Sequence, residues 1–96
     1  MTISFSVTVK NKGGLEVRES AMLVKYAILN GLDMAIIYEG KEASAYSMLE
    51  VIGLCVPQGA VIDIEVAQDE RGACGVMSVD EVMHDVKNLF DVAFVA

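Results

Sequence analysis

The stretch GGLEVRESA, residues 13–21, separates two parts of the chain that have different hydrophobic periods. Before it, residues 3–9 read ISFSVTV, and this alternation of apolar and hydroxyl side chains is typical of a half-buried strand. After it, residues 21–29 read AMLVKYAIL, a run of helix-forming residues that is too long for a typical strand. We therefore predict that the two glycines end a strand and that a helix begins at about Glu16 or Val17. The unpaired backbone N–H groups of a helix start attract anions, so a phosphate group would bind naturally at this junction.

The same stretch resembles part of a known family. Residues 14–21, GLEVRESA, are similar to the active-site segment of HPr, which reads Gly-Leu/Ile-His-x-Arg-Pro-Ala. HPr is the histidine-containing phosphocarrier of the phosphoenolpyruvate-dependent sugar phosphotransferase system. The similarity continues in GK at 40–41, SML at 47–49, GL at 53–54 and QGA at 58–60, and it covers about residues 3–67. The resemblance implies an α+β fold, an open-faced sandwich in which helices cover one face of a four-stranded antiparallel sheet.

One departure from the family pattern bears on function. Glu16 stands where the family has its phospho-accepting histidine, and Glu19 stands where it has a proline. A carboxylate can carry a phosphoryl group as an acyl phosphate, but a glutamate at a helix start more commonly complements the helix dipole. The sequence therefore predicts a non-catalytic regulatory or interaction module, as in the catabolite repression HPr (Crh), where glutamine replaces the histidine. Two alternatives stay open: a phosphocarrier with an unusual acceptor such as Glu16, and a structural dimeric module with a vestigial site.

Two further candidate site residues follow from the resemblance. Arg18 matches the residue that steadies the phosphohistidine, so Glu16 and Arg18 are the candidates for binding an anion or a partner. Arg18 could instead pair with Glu16 or Glu19 in a surface salt bridge. Ser47 matches the serine that a dedicated kinase phosphorylates in the Gram-positive branch of the family, whereas its local sequence alone indicates a helix N-cap.

The segment after Ser47 provides a candidate docking surface. Met48, Leu49 and Ile52 match the hydrophobic patch that flanks the regulatory serine in the family, although a short apolar helix could equally place them in the core. The partners that the resemblance implies are proteins, either components of the sugar phosphotransferase system or a transcription regulator.

Composition narrows the class of protein. The 96 residues predict a single domain, 1–96, and a hydrophobic fraction of 54% requires either a rich core or an apolar surface that meets a partner. The net charge of −7 argues against binding to nucleic acid or to an anionic membrane, because neither would find a basic patch. No apolar run approaches the roughly 18 residues of a membrane span. The N-terminus lacks the pattern of a secretory signal, so we expect a cytoplasmic protein.

Metal-binding residues are scarce. Cys55, Cys74 and His84 are too few and too widely spaced for a structural zinc site. We expect both cysteines to be buried, free thiols. We therefore expect no metal. We also expect no cofactor, and no enzymatic activity because Glu16 replaces the phospho-accepting histidine of the family.

Periodicity and capping signals predict the other elements. In order, they are a helix at 17–29, strands at 34–38 and 41–45, a short helix from an N-cap at 47 to 53, a strand at 61–66 and a helix from 79 to 89 or 90. Capping boxes are predicted for Ser47 with Glu50 and for Ser78 with Glu81.

An apolar stripe is predicted to orient the first helix on the sheet. Spacing of three to four residues places four apolar side chains on one face, which we expect to be buried: Val17, Ala21, Val24 and Ile28.

The C-terminal tail, residues 91–96, is apolar and extends beyond the family pattern. We expect Val92, Phe94 and Val95 to be covered, either by the edge of the domain or by a second subunit in a homodimer.

Overall fold

The computed structural model describes all 96 residues. The sheet has four antiparallel strands in the order β1-β4-β2-β3, with two α-helices in the connections between strands and a third after the last strand. The elements in chain order are β1 (Thr2–Thr8), α1 (Val17–Leu29), β2 (Met34–Tyr38), β3 (Lys41–Ser44), α2 (Met48–Gly53), β4 (Val61–Ala67) and α3 (Val79–Asn88), followed by a π-helical segment (Leu89–Ala93). This is the α+β open-faced sandwich that the sequence predicts.

Alternation along β4 fixes the two faces of the sheet. Ile62, Ile64 and Val66 are buried, whereas Asp63 is exposed, as the period of two requires. Each residue of β1 lies opposite one of β4, so Phe5 pairs with Ile64 on the inner face. The outer face of β1 carries the exposed hydroxyl residues of the ISFSVTV segment. The helices therefore cover one face only, and the other meets solvent.

Helix α1 packs on the sheet through a face that differs from the predicted one. Its buried apolar residues are Leu23 and Ala27, with Ser20 between them and the helix start. Of the predicted stripe, Ala21 is exposed and Val24 is only partly buried, while Val17 and Ile28 are 61% and 52% exposed. The prediction was wrong by one residue, about 100° around the helix axis. Two stripes of the same period run along α1, and the small inward side chains of Ser20 and Ala27 allow close approach to the sheet.

Backbone conformation defines the turn between β2 and β3, and side-chain hydrogen bonds define the start of the short helix α2. Glu39 and Gly40 both have positive φ, 50° and 77°, which gives a two-residue hairpin turn. Ser47 Oγ accepts from the Glu50 N–H at 3.3 Å, as predicted for an N-cap. The second half of the predicted capping box is absent, because Glu50 Oε1 accepts from the Ser44 N–H at 3.2 Å instead.

Helix α3 begins with the predicted capping box and buries its apolar stripe. Ser78 and Glu81 cap it reciprocally, and hydrogen bonds from Ser78 lower the pKa of Glu81. Val82, Val86 and Phe90 face the core. The helix then widens, and the Phe94 N–H donates to the Leu89 carbonyl at 2.8 Å.

The C-terminal tail is covered only in part. Phe94 is 1% exposed and packs edge-on against Phe90, with ring centroids 4.8 Å apart. Val92 and Val95 are 56% and 47% exposed, so the chain itself does not bury them. Of the three tail residues that we predicted to be buried, only Phe94 is buried by the chain itself.

The two cysteines have different environments. Cys74 is buried in the loop between β4 and α3, whereas Cys55 is exposed, contrary to prediction. Cys55 has a positive φ of 54°, in the turn that ends α2. This turn leads directly away from the helix, which leaves the Cys55 side chain outside the core.

No helix of the structure combines the length and the hydropathy that a bilayer span requires.

Candidate functional site

The junction between β1 and α1 is pinned to the loop that follows α2. The Leu15 N–H donates to the Val56 carbonyl at 3.0 Å. Gly14 has a φ of +73°, and a Cβ atom there would lie 2.1 Å from that carbonyl oxygen. Only glycine fits, and the close approach brings the start of α1 beside the end of α2.

Carboxylates occupy the start of α1. Glu16 is the N-cap residue, in an extended backbone conformation, and its side chain is exposed. Its carboxylate lies over Gly13, where a Cβ atom would approach Oε2 to 2.8 Å. Glu19 is buried, and its Oε1 accepts from the Glu16 N–H at 3.3 Å. Negative side chains thus complement the helix dipole here, where the sequence alone indicates an attraction for external anions.

Arg18 is held by partners within the chain. Its Nε and Nη2 atoms each lie 3.0 Å from Glu19 Oε2. Nη2 also donates to the Phe94 carbonyl at 2.7 Å, and Nη1 to the Ala93 carbonyl at 3.5 Å. Of the two pairings open to Arg18 from the sequence, the structure therefore has the one with Glu19. The guanidinium is half-exposed, but its donors point at the tail and at Glu19 and not at a free anion site.

The predicted docking residues lie on the surface of α2. Leu49 is 81% exposed, Met48 is 37% exposed, and Ile52 is partly buried. The core contacts of this helix come from Val51 instead. Ser47 is partly exposed at the opposite end of α2 from Ile52, so the structure does not bring it to the start of α1.

A groove runs between α1 and α2 and joins the two parts of the site. It has a volume of about 610 Å³, and we call it the α1–α2 groove. Its lining residues are Gly13, Leu15, Glu16, Val17, Arg18, Glu19, Ile52, Cys55, Val56 and Pro57. Together with Met48 and Leu49, the exposed Val17 and the partly buried Ile52 form a surface that we call the α1–α2 apolar face.

Sequence reasoning missed two members of this site. The spacing of apolar residues along α1 predicts a buried Val17, and the usual burial of cysteine predicts a buried Cys55. A signal for Val17 was present, because α1 carries apolar residues on more than one face and a single face suffices to cover the sheet. Nothing in the local sequence indicates the exposure of Cys55.

The other titratable groups do not form a second site. The Tyr26 hydroxyl donates to Asp85 Oδ2 at 3.0 Å, and burial together with this hydrogen bond raises the Tyr26 pKa far above its ordinary value. This contact fastens α1 to α3. His84 is exposed on α3. No group of three or more His, Cys, Asp or Glu residues is arranged to hold a metal ion.

Comparison with known proteins identifies the family. A family model described as "PTS HPr component phosphorylation site" matches residues 3–83. No curated protein matches the chain significantly.

Solved structures agree in fold. HPr-C-His from Thermoanaerobacter tengcongensis superposes with a TM-score of 0.77 at 23% identity, covering 96% of this chain and 94% of its own. The phosphocarrier protein HPr from Bacillus anthracis str. Ames gives 0.73 at 23% identity, covering 99% and 98%. A histidine-containing phosphocarrier protein from Mycoplasma gives 0.75 at 22% identity, covering 97% and 98%.

At these identities the solved structures establish the fold, and the family model, which spans most of the chain, establishes the family. The β1–α1 junction with Glu16 and Arg18 lies inside the matched region, as does Ser47. The chain therefore belongs to the HPr family, the phosphocarrier proteins of the phosphotransferase system.

Proposed function

We propose that this protein is a regulatory binding module of the phosphotransferase system that does not relay phosphoryl groups and is not an enzyme. One observation carries the proposal: the residue at the position of the acceptor histidine is Glu16, an N-cap carboxylate, beside an Arg18 whose donors are already engaged. His84, the only histidine of the chain, lies on α3. In function the protein would then be comparable to the catabolite repression HPr.

The chemistry at Glu16 supports this proposal. A phosphoryl group that arrives there must form a mixed anhydride, and the oxygens of that group need cationic donors close by. Arg18 is the one cation in the lining of the groove, and it neutralises the buried Glu19. Lys10 and Lys12 line a neighbouring pocket that also includes Glu16, but Lys10 is paired with Asp91 at 2.9 Å. Redirecting Arg18 to a phosphoryl group would leave the Glu19 carboxylate buried without a counter-ion, which is costly.

The α1–α2 apolar face is the proposed docking surface for a partner protein. Large apolar side chains exposed together commonly mark protein interaction sites, and Leu49 is the most exposed of this group. The partner would be a component of the phosphotransferase system or a transcription regulator. Ser47, at the N-cap of α2, borders this face, and we propose it as a regulatory phosphorylation site. A phosphate there would add about −1.5 to −2 charges.

Two alternatives keep some support. A phosphocarrier that uses Glu16 as an acyl-phosphate acceptor is favoured by the exposure of that side chain. A homodimer through the C-terminal tail is favoured by the exposed Val92 and Val95. The first requires phosphorylation at Glu16, and the second requires a concentration-dependent dimer that a substitution in the tail dissociates.

The test is the intact mass of the protein after incubation with phosphoenolpyruvate and the general phosphotransferase enzyme. We expect no added phosphate, while a histidine-containing HPr in the same reaction gains one. A gain of one phosphate that Glu16→Gln abolishes would instead establish the acyl-phosphate relay. A parallel incubation with the serine kinase of the family and ATP, followed by peptide mapping, tests Ser47. An unmodified Ser47 would reduce that residue to a helix cap.

A further inference from the structure

The α1–α2 groove has apolar walls and one carboxylate at its mouth that lacks a counter-ion. Leu15, Val17, Ile52 and Val56 supply most of the apolar lining. Glu16 is exposed, and it takes part in none of the three salt bridges of the structure. The groove therefore combines an apolar channel with a negative charge that is open to solvent.

The other two charges in the groove cancel each other. Both oxygens of Glu19 are occupied, Oε1 by the Glu16 N–H and Oε2 by Arg18. The remaining Arg18 donors point at the Ala93 and Phe94 carbonyls. The groove is thus left with one net negative charge, and no lysine lines it.

We infer that the α1–α2 groove receives a lysine or arginine side chain of the partner protein, with the aliphatic stem against the apolar walls and the cationic head at the Glu16 carboxylate. Such side chains bury their stems in apolar surroundings while the charged head stays at the rim, which is the pattern of this groove. The inference rests on the proposed function, since it assumes that a partner protein docks on the α1–α2 apolar face.

Charge selects this occupant over an acidic one. A phosphate or carboxylate group in the groove would face Glu16 and an Arg18 whose donors are engaged, so the groove itself disfavours it. Lys10 and Lys12 line a neighbouring pocket that shares Glu16 but not the apolar walls of Ile52 and Val56. The net charge of −7 acts in the same direction, because it favours the approach of a basic partner.

A small-molecule titration tests the inference without a partner protein. The probes are n-butylguanidinium, which has the stem and head of an arginine side chain, and n-butylurea, its neutral isostere, at equal ionic strength. The readout is the backbone amide NMR shifts of Gly13, Glu16, Ile52 and Cys55. We expect n-butylguanidinium to bind about two- to five-fold more tightly than n-butylurea, the range of one exposed ion pair. Equal binding of the two probes, or larger shifts with inorganic phosphate, would overturn the inference.

Two variants locate the charge that matters. Glu16→Gln, which keeps an acceptor oxygen at the N-cap, should remove the preference for n-butylguanidinium. Glu50→Gln makes the same change in net charge at an exposed residue outside the groove, and it should keep the preference. If Glu16→Gln does not fold, Glu16→Asp serves instead and should retain the preference. Loss of the preference in Glu50→Gln, or its absence in Glu16→Asp, contradicts a role for Glu16. No partner protein takes part in this titration. Its result therefore tests the groove itself, and a failure of the proposed docking function would appear only in experiments with a partner protein.

Discussion

The guanidinium Nη2 of Arg18 lies 2.7 Å from the carbonyl oxygen of Phe94, a residue 76 positions further along the chain. This bond ties the start of α1 to the C-terminal tail. The same guanidinium contacts the buried Glu19 carboxylate at 3.0 Å. A residue that the family pattern assigns to phosphoryl chemistry thus has a structural role here, because it closes the fold between its first helix and its last segment.

Replacing Arg18 should destabilise the protein. Arg18→Gln removes the counter-ion of Glu19 and weakens the bonds to the tail, and we expect a loss of about 1–2 kcal/mol in the free energy of unfolding. The control is Arg71→Gln, which removes an exposed pair with Asp69 and should cost less than about 0.5 kcal/mol. Urea denaturation of the three proteins measures both values. Equal losses for the two variants would show that Arg18 is an ordinary surface residue.

Gly14 should be the least replaceable glycine of the chain. Gly14→Ala combines positive φ with a Cβ atom placed 2.1 Å from the Val56 carbonyl, so we expect a loss of more than about 3 kcal/mol or failure to fold. Gly40→Ala has a φ of +77° but open space around the new Cβ, and should cost only about 1 kcal/mol. The difference in denaturation midpoint isolates the steric clash. A similar cost for both would mean that the clash relaxes freely.

Restoring a histidine alone should not restore efficient phosphoryl transfer. Glu16→His supplies the imidazole but leaves Arg18 engaged with Glu19, so the rate of phosphorylation should remain low. Adding Glu19→Pro removes that carboxylate and leaves the guanidinium with only the two tail carbonyls as partners, so the double variant should be modified faster. Intact mass against time, with His84→Gln in every protein, gives the rates. A fast reaction of the single variant would show that Arg18 does not limit the transfer.

The tail should contribute to stability through one side chain. Phe94→Ala removes a buried ring that packs against Phe90, and should cost about 3–5 kcal/mol. Val92→Ala alters an exposed residue, and should change the stability by no more than about 0.5 kcal/mol. Thermal melts compare them, and sedimentation reports the oligomeric state. A dimer that Val92→Ala dissociates would favour the tail as a subunit interface.

Glu81 should make the stability of α3 depend on acidic pH. Its pKa lies below the ordinary value of 4.5 because the Ser78 backbone and side chain donate to its carboxylate. Because the Glu81 pKa is lower in the folded than in the unfolded state, the ionised carboxylate stabilises the folded state at pH values above the unfolded-state pKa. This stabilisation is lost as the pH falls through the folded-state pKa. Wild type should therefore exceed Glu81→Gln in melting temperature at pH 6, and the gap should narrow below pH 4. A constant gap between these conditions would contradict the assignment.

The sequence predicts those features that depend on neighbouring residues. The alternation at 61–66 gives β4, and the serines at 47 and 78 give two helix starts, because strand period and N-caps are local properties. The sequence does not predict which face of α1 packs on the sheet, because two apolar stripes of equal period run along the helix. Only packing against the sheet selects the face with Leu23 and Ala27. The contact of Arg18 with Phe94 depends on the whole fold, and no local pattern indicates it.

Because Cys55 is exposed and Cys74 is buried, the protein has a single accessible thiol that can be labelled. Burial raises the pKa of the Cys74 thiol and keeps it protonated, so it is a poor nucleophile. Cys55 is exposed and lines the α1–α2 groove. A maleimide fluorophore would therefore couple to the unmodified chain at one position beside Glu16. Its emission would report directly on whatever enters the groove.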